Sequence, residues 1–537
     1  MLIARMVLEC QTPLHCGGGE DLLQDSPVVR DGYGFWRIQG SSIAGALRSE
    51  LAAKDKDAAT RMFGSMEDNE RRPSLVWCSD GVLLDYDGQE AWRKEFAGRR
   101  VEINTRAVVR DHVRLDELRG VAVRGGKFDE ELVPKGARFA VELKYDGWDL
   151  EGAYDDRQDI EEERSDRKAR AEQFASDRRY FLELCSKLRY GLITIGGKRV
   201  SGFGRVKCPG RDKFQLREFN LQSSDGMLQW LSLQQGVSFA EGVGAVVDPD
   251  PAADTSDCSM ADNTVSLSID KAVLITQGPI LVGGINEKSE DSQSDIKCMR
   301  TPVFDYDAPD GQQKGNSAGS NHMSWRYTIP GSSLRGALRH RLHDIAAILM
   351  SADKNAGSVG ETGNPEDPHK KVMDFLGGIF GTVKGDGSCG KVEIEDIYLR
   401  SGVKSQQVQH VALDRFTGGA LDGALFDERP VWLDVPLELE FKMRATDLSF
   451  REALLLGHAL ADLFTGTLPV GGGVNRGNGV VKLNGVRTPR DLGAALLNVE
   501  GRVCCRHNGV TREITLPGAD PGDALKLIEE LETAGNE

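Results

Sequence analysis

Two glycine-rich stretches carry cations where phosphate could be handled: IGGKRVSGFGRVKC from Ile195 to Cys208 and VGGGVNRGNGVVKL from Val470 to Leu483. Neither is a Walker loop, because Gly197-Lys198 runs into Arg199 where that motif needs Ser or Thr. A nucleotide-hydrolysing reading is therefore weak. Between two strands, such glycines let a polynucleotide backbone pass close to the main chain while Lys198, Arg199 or Arg476 neutralises phosphate. A tight hairpin would need the glycines alone. A second pair, GSSIAGALR from Gly40 and GSSLRGALRHRL from Gly331, sets Ser41, Ser42, Ser332 and Ser333 before periodic apolar residues. Those hydroxyls read as helix N-caps. The amides behind them either hold a phosphate or belong to a capped helix without a ligand. Gly45 and Gly336 read as small residues that bring each helix close to a sheet. His15, beside a glycine turn, and His112 complete the acid–base candidates, with no partner at a recognisable catalytic spacing.

The elements that must position these residues recur in one order. TPLHCGGG from Thr12 answers GPILVGGI from Gly278, and MFGS from Met62 answers IFGT from Ile379. The two GSS segments and the two glycine-rich stretches keep their places in that series, which predicts one architecture built twice. Each copy opens on an alternating strand, LIARMVLECQ and VSLSIDKAVLI, and carries a second helix around Tyr180 to Arg189 and Phe450 to Phe464. Strands and helices alternate as in an α+β sandwich. The expected division is residues 1–220, a linker over 221–263 with an acidic, apolar-poor end, and 264–537. The charged segment Asp155 to Arg179 reads as a solvated helix or excursion, and Asn286 to Arg326 as a hairpin with a polar tip.

The 537 residues suit two domains. Ten scattered cysteines without a Cys-x-x-Cys pair argue against a zinc ribbon or a disulfide framework and fit a reducing cytoplasm. The N-terminus reads as a strand, and no apolar run approaches the roughly 18 residues of a membrane span, so a cytoplasmic protein without membrane contact is expected. A net charge of −16 counts against a general nucleic-acid binder. The acid is concentrated, however, in segments such as Asp146 to Asp166 and Asp248 to Asp262. The repeated motifs carry Arg48, Lys198, Arg199, Arg205, Arg335, Arg339, Arg341 and Arg476. Such segregation is what a basic groove on an acidic body requires.

The series strand, LHCGGG, DSPVVRD, IQGSSIAGALRSELA, FG and IGGKRVSGFGRV resembles the RAMP superfamily, and specifically the backbone subunit of type III CRISPR effector complexes. Its presence once in each half resembles the double-backbone fusion of type III-D variant complexes. The resemblance implies two tandem ferredoxin-like (RRM-like) RAMP domains with inserted thumb hairpins and loops. It also implies partners: a guide CRISPR RNA, a complementary target RNA and other effector subunits, with base pairing reading sequence while protein reads backbone and shape. It places Gly17, Gly18, Ser41, Ser42, Arg48, Lys198, Arg199, Arg300, Ser332, Ser333, Arg335, Arg339 and Arg476 among the RNA-contacting residues, and the thumb wedges at Phe416, Leu421 and Phe426.

In that family a loop aspartate after the glycine turn cuts the target RNA, and the matching residue is Asp25. RNA supplies its own nucleophile, so one carboxylate can serve as base or as ligand to a divalent metal, Mg²⁺ being expected. Asp25 is also a plausible Asx-turn residue. Laying DSPVV over RTPVF puts Arg300 opposite Asp25 as a phosphate clamp, and leaves Asp291 and Asp295 as the second copy's catalytic candidates, with Asp305 and Asp307 beyond them. The expected function is a guide-RNA-binding backbone subunit that acts as an endoribonuclease on target RNA. An inert scaffold and a guide-processing endoribonuclease are the alternatives.

Overall fold

Alternation of apolar residues over Leu2–Cys10 produces strand β1, whose Leu2, Ala4, Met6, Leu8 and Cys10 line one core face. The computed structural model describes residues 1–19, 26–66, 72–85, 90, 108–116, 122–147, 160–221, 223–234, 244–247, 260–283, 296–304, 323–352, 368–382, 388–400, 403–432, 435–507 and 510–516. In the first half the elements after β1 are α1 (Gly40–Lys54), α2 (Lys56–Phe63), β2 (Val76–Cys78), β3 (Val108–Leu115), β4 (Ala122–Leu132), β5 (Arg138–Tyr145), α3 (Ile160–Tyr190), β6 (Val206–Lys207) and β7 (Phe214–Glu218). β1 pairs antiparallel with β5 on one side and with β6 and β7 on the other, and β5 pairs antiparallel with β2. Ile43, Leu47 and Leu51 of α1, one turn apart, are buried in the same core.

The second half repeats this plan. β8 (Thr264–Thr276) is followed by the pair β9 (Arg300–Phe304) and β10 (Met323–Ile329), then α5 (Gly331–Ala352), α6 (Pro368–Phe380) and β11 (Val392–Ile394). A hairpin of β12 (Val408–Leu413) and β13 (Ala420–Arg429) precedes β14 (Glu438–Leu448), α7 (Phe450–Thr465) and β15 (Val481–Leu483). β16 (Glu500–His507) and β17 (Val510–Leu516) close the sheet. β8 pairs antiparallel with β14, β15 and β16, and β14 with β11. Each half thus has its first strand central, between the strand that follows the hairpin (β5, β14) and the strands that come after α3 or α7 (β6 and β7, β15 and β16), with β2 or β11 outside β5 or β14. The fold is α+β in tandem, one unit per half, with separate hydrophobic cores.

Several expectations change. The stretch 221–263 folds in part onto the first unit: helix α4 (Ser224–Gln234) packs Trp230 and Leu233 toward Ile3 and Phe219, and Ala245–Val246 pairs with β7. From Ile160 on, the charged segment is a helix, continuous with the one expected around Tyr180 to Arg189, since α3 runs unbroken from Ile160 to Tyr190. The GSS serines are not N-caps. Both helices begin at the glycine, and the leading amides of Gly40 and Gly331 donate to Asp80 Oδ1 and Asp396 Oδ1, each at 2.8 Å. Nor do Gly45 and Gly336 make the close approach, for both face open space. Gly40 and Gly331 make it instead, because a Cβ there would lie 2.4 Å from the Cys78 carbonyl oxygen and 1.9 Å from that of Ile394.

The units dock directly. Arg110 of β3, fully buried, holds Asp396 with both terminal nitrogens at 3.2 and 2.8 Å and lies over the Phe203 ring. Arg205 pairs with Glu395, and Arg199 with Glu393 at 3.7 Å. Backbone joins backbone where the Phe304 amide donates to the Lys135 carbonyl at 2.9 Å. Gly202 makes room for the Ile394 carbonyl, which a Cβ would approach to 2.2 Å.

Candidate nucleic-acid interface

The glycine-rich loops stand at the base of the hairpins β3–β4 and β12–β13, and each hairpin sends a buried glutamate toward its loop. Glu130 receives His112 Nε2 at 2.7 Å and Lys198 Nζ at 3.3 Å; Glu428 receives His410 Nε2 at 3.2 Å and the Arg476 guanidinium. His112 stacks on Phe128 and His410 on Phe426, at centroid distances of 5.0 and 5.1 Å. Lys198 lies over Phe128 and Arg476 over Phe426. One cluster of glutamate, histidine, phenylalanine and cation is therefore built twice.

Its cation does not come from one aligned position. Lys198, at φ 60°, precedes the 3₁₀ turn Arg199–Ser201, as Gly473, at φ 67°, precedes Val474–Arg476. Lys198 therefore matches Gly473, and Arg476 matches Ser201, yet both charges reach the equivalent carboxylate. Burial would raise the Glu130 carboxyl, but His112, Lys198 and Arg110 together outweigh it and hold it at about 2.

The loop after the first glycine turn is tied from below. The Val28 amide donates to Glu131 Oε2 at 3.0 Å, and Arg30 pairs with the same carboxylate. Glu130 and Glu131 are neighbours on a strand, so their side chains take opposite faces and serve the glycine loop and this loop respectively. His15 is buried with Nδ1 2.8 Å from the Glu131 carbonyl and Nε2 3.1 Å from Ser26 Oγ. A carbonyl only accepts, so Nδ1 carries a proton and donates to it, while Nε2 lies within hydrogen-bond distance of the serine hydroxyl. His15 is thus committed to holding the loop.

Register between the halves corrects the placing of Arg300. Gly17 bridges Val28 as Gly283 bridges Cys298, both antiparallel, and the Val29 amide donates to the Cys16 carbonyl as that of Met299 donates to Val282. Val28 therefore matches Cys298, which puts Arg300 opposite Arg30. The pair behaves alike: Arg30 lies over Trp36 at 5.9 Å and Arg300 over Tyr327 at 5.3 Å. Counting three residues back along the sequence from Val28 and Cys298 gives Asp25 and Asp295. Asp25, Asp291, Asp295, Asp305 and Asp307 themselves lie outside the described residues.

Of the remaining candidates, Gly17, Gly18, Ser41, Arg48 and Arg300 are exposed, while Ser42, Ser332, Ser333 and Arg339 are half-buried. Arg335 turns into the fold, donating to the Phe380 carbonyl and lying over its ring; burial, and then Arg339 beside it, push its guanidinium down to about 10. Arg199 faces the other unit. Phe416 is 82 % exposed at a hairpin tip turned by Asp414, which accepts from the Phe416 and Thr417 amides, and Leu421 is also exposed. Phe426 is half-buried in the duplicated cluster. No three His, Cys, Asp or Glu side chains form a metal-holding group among the described residues.

A protein-family model described as the RAMP superfamily matches residues 7–207 and 314–482, one segment in each unit. The chain belongs to the RAMP superfamily. It is 26 % identical over 166 residues to the CRISPR system Cms endoribonuclease Csm3 of Methanocaldococcus jannaschii, a match over 27 % of this chain and 62 % of that protein, so less than two thirds of that relative's length is covered. Among solved structures it resembles the type III-B Cmr-beta complex in its apo state and bound to cognate target RNA. Each match has 16 % identity, covers 38 % of this chain and 95 % of the other, and has a TM-score of 0.26 or 0.27 respectively. Among the described residues no helix is long and apolar enough to cross a membrane.

Proposed function

We propose that this RAMP protein is the double backbone subunit of a type III CRISPR ribonucleoprotein, holding guide RNA along two equivalent seats and cutting paired target RNA as an endoribonuclease. The duplicated cluster at the hairpin bases carries the reading: two glycine loops of common geometry are braced against two hairpins that present apolar side chains to solvent. The order of the shared strands supports taking each unit as ferredoxin-like, and the hairpins as thumbs. Main-chain amides and Arg48, Arg30 and Arg300 suit a sugar–phosphate backbone, while Phe416 and Leu421 suit a wedge against a flipped base.

Cleavage falls to Asp25 in the first unit and Asp295 in the second, the register favouring Asp295 over Asp291. The ribose 2′-oxygen attacks the adjacent phosphorus to give a 2′,3′-cyclic phosphate as its proton passes to the carboxylate or to water, and the bond to the 5′-oxygen breaks with its electron pair on that oxygen, which takes a proton from water. His15 and Ser26 hold the first loop in place. A divalent cation, Mg²⁺ by its preference for carboxylate, phosphate and water, would neutralise charge on the phosphate. Beside the loop carboxylate, phosphate and water would complete the shell of such an ion. Target-fragment mapping in the assembled particle tests the assignment: Asp25→Ala and Asp295→Ala should each remove one product, Asp291→Ala none, and a chelator both. An unaltered fragment set with Asp25→Ala would favour an inert scaffold.

A further inference from the structure

The ground beneath the loop that follows the glycine turn is charged differently in the two units. Val133 bridges Leu14 as Val431 bridges Ile280, so Arg429 stands at the place of Glu131. The backbone agrees: the Glu131 amide donates to the Ser26 carbonyl, and Ile296 and Lys297 pair in parallel with Glu428 and Arg429. In unit one Arg30 and Glu131 neutralise each other as an ion pair. In unit two the same two positions hold Arg300 and Arg429, which are like charges. Among the described residues no carboxylate lies within ion-pair distance of either arginine. Arg300 is exposed, lies over the Tyr327 ring and donates to the Trp325 carbonyl at 3.4 Å. Arg429 is half-buried; one terminal nitrogen reaches Gln407 Oε1 at 3.5 Å, and its Nε, shut off from solvent, has no acceptor. Asp427, on the same face of that strand, receives the Gln407 side-chain amide instead.

We infer that Arg300 and Arg429 form a phosphodiester seat, present in unit two alone, for the RNA strand that is cut. The seat rests on the proposed binding of target RNA. Two guanidiniums at positions whose twins in unit one touch each other suit a group with negative charge and two acceptor oxygens, which one phosphate supplies. The strand faces separate target from guide. Glu428 turns to the glycine loop, so its neighbour Arg429 turns to the other side, where its strand partner Lys297 lies two residues beyond Asp295. Phosphate contacts hold and orient a strand without reading its sequence. Arg30 offers hydrogen bonds at the corresponding place in unit one, but Glu131 cancels its charge. Unit two therefore grips the target more tightly than unit one, and with a stronger dependence on salt.

The test titrates the assembled particle, over a salt series, with a complementary target carrying 2′-deoxyribose at both cut sites, so that binding is read without cleavage. Arg300→Gln and Arg429→Gln should each lower the slope of log affinity against log salt by about 1. Arg429→Glu, which rebuilds the ion pair of unit one, should lower it by about 2. Arg300→Lys with Arg429→Lys keeps both charges and should keep the slope. A wild-type slope in the glutamine variants overturns the seat. Release of guide RNA with the target slope intact assigns the phosphate to the other strand, and loss of a protein subunit gives the arginines a partner's carboxylate; either result overturns the cut strand as occupant. Because this target is not cleaved, Asp25 and Asp295 can fail as cutting residues while the seat stands, whereas a particle that binds no target overturns both.

Discussion

Glu130 and Glu428 are the residues on which each hairpin base depends. Both are about 2 % exposed, and each gathers a histidine and a cation, so removing the charge takes away the carboxylate around which both are placed. Glu130→Gln should cost on the order of 3 kcal/mol in chemical denaturation. The sign of its pH dependence follows from a carboxyl held at about 2 against an ordinary 4.5. The stabilisation is complete above pH 4.5 and is lost as pH falls toward 2, so the wild-type and Glu130→Gln unfolding curves should converge over that window. These glutamates were readable in principle: His112, Phe128 and Glu130 are spaced identically to His410, Phe426 and Glu428. The cations were not, because the second copy moves its charge to another position of the loop and only folding brings it back to the same carboxylate.

At the scale of elements, the two GSS helices show what local sequence can and cannot specify. Their apolar periodicity and their place between strands follow from neighbouring residues, as do β1, β8 and α7. Their caps do not, since Asp80 and Asp396 arrive from 40 and 65 residues away. A serine-rich start was indistinguishable from a hydroxyl cap until those carboxylates appeared. The glycines part in the same way. Gly40→Ala and Gly331→Ala should lower stability by about 2 kcal/mol or more, because a methyl group would meet a strand carbonyl. Gly45→Ala and Gly336→Ala, on open helix surface, should be neutral or stabilising by up to ~1 kcal/mol. Thermal melts of the four single variants check the contrast. The loop register shows the opposite failing: DSPVV and RTPVF look alike as strings, but bridges at Val28 and Cys298 shift the match by five residues, from Val303 to Cys298.

For the whole molecule, the buried Arg110–Asp396 pair decides whether the units behave as one. Arg110→Ala leaves the buried Asp396 carboxylate with the Gly331 amide and the Tyr398 hydroxyl but without its guanidinium, and should cost about 3–5 kcal/mol. Calorimetry should then resolve two transitions where the wild type shows one. Asp396→Asn keeps the cap acceptor while removing the charge, and should split the transition less.

The Ile394 carbonyl is hemmed in by Gly331 of its own helix and Gly202 of the other unit, with no space for a methyl on either side. Such a joint has no slack. Under the proposed function, the interval between the two cuts on a target is a ruler division machined by two glycines, not a span paid out by the connecting chain. Inserting residues between 250 and 258 should leave that interval unchanged in mapped fragments, whereas Gly202→Val should blur it.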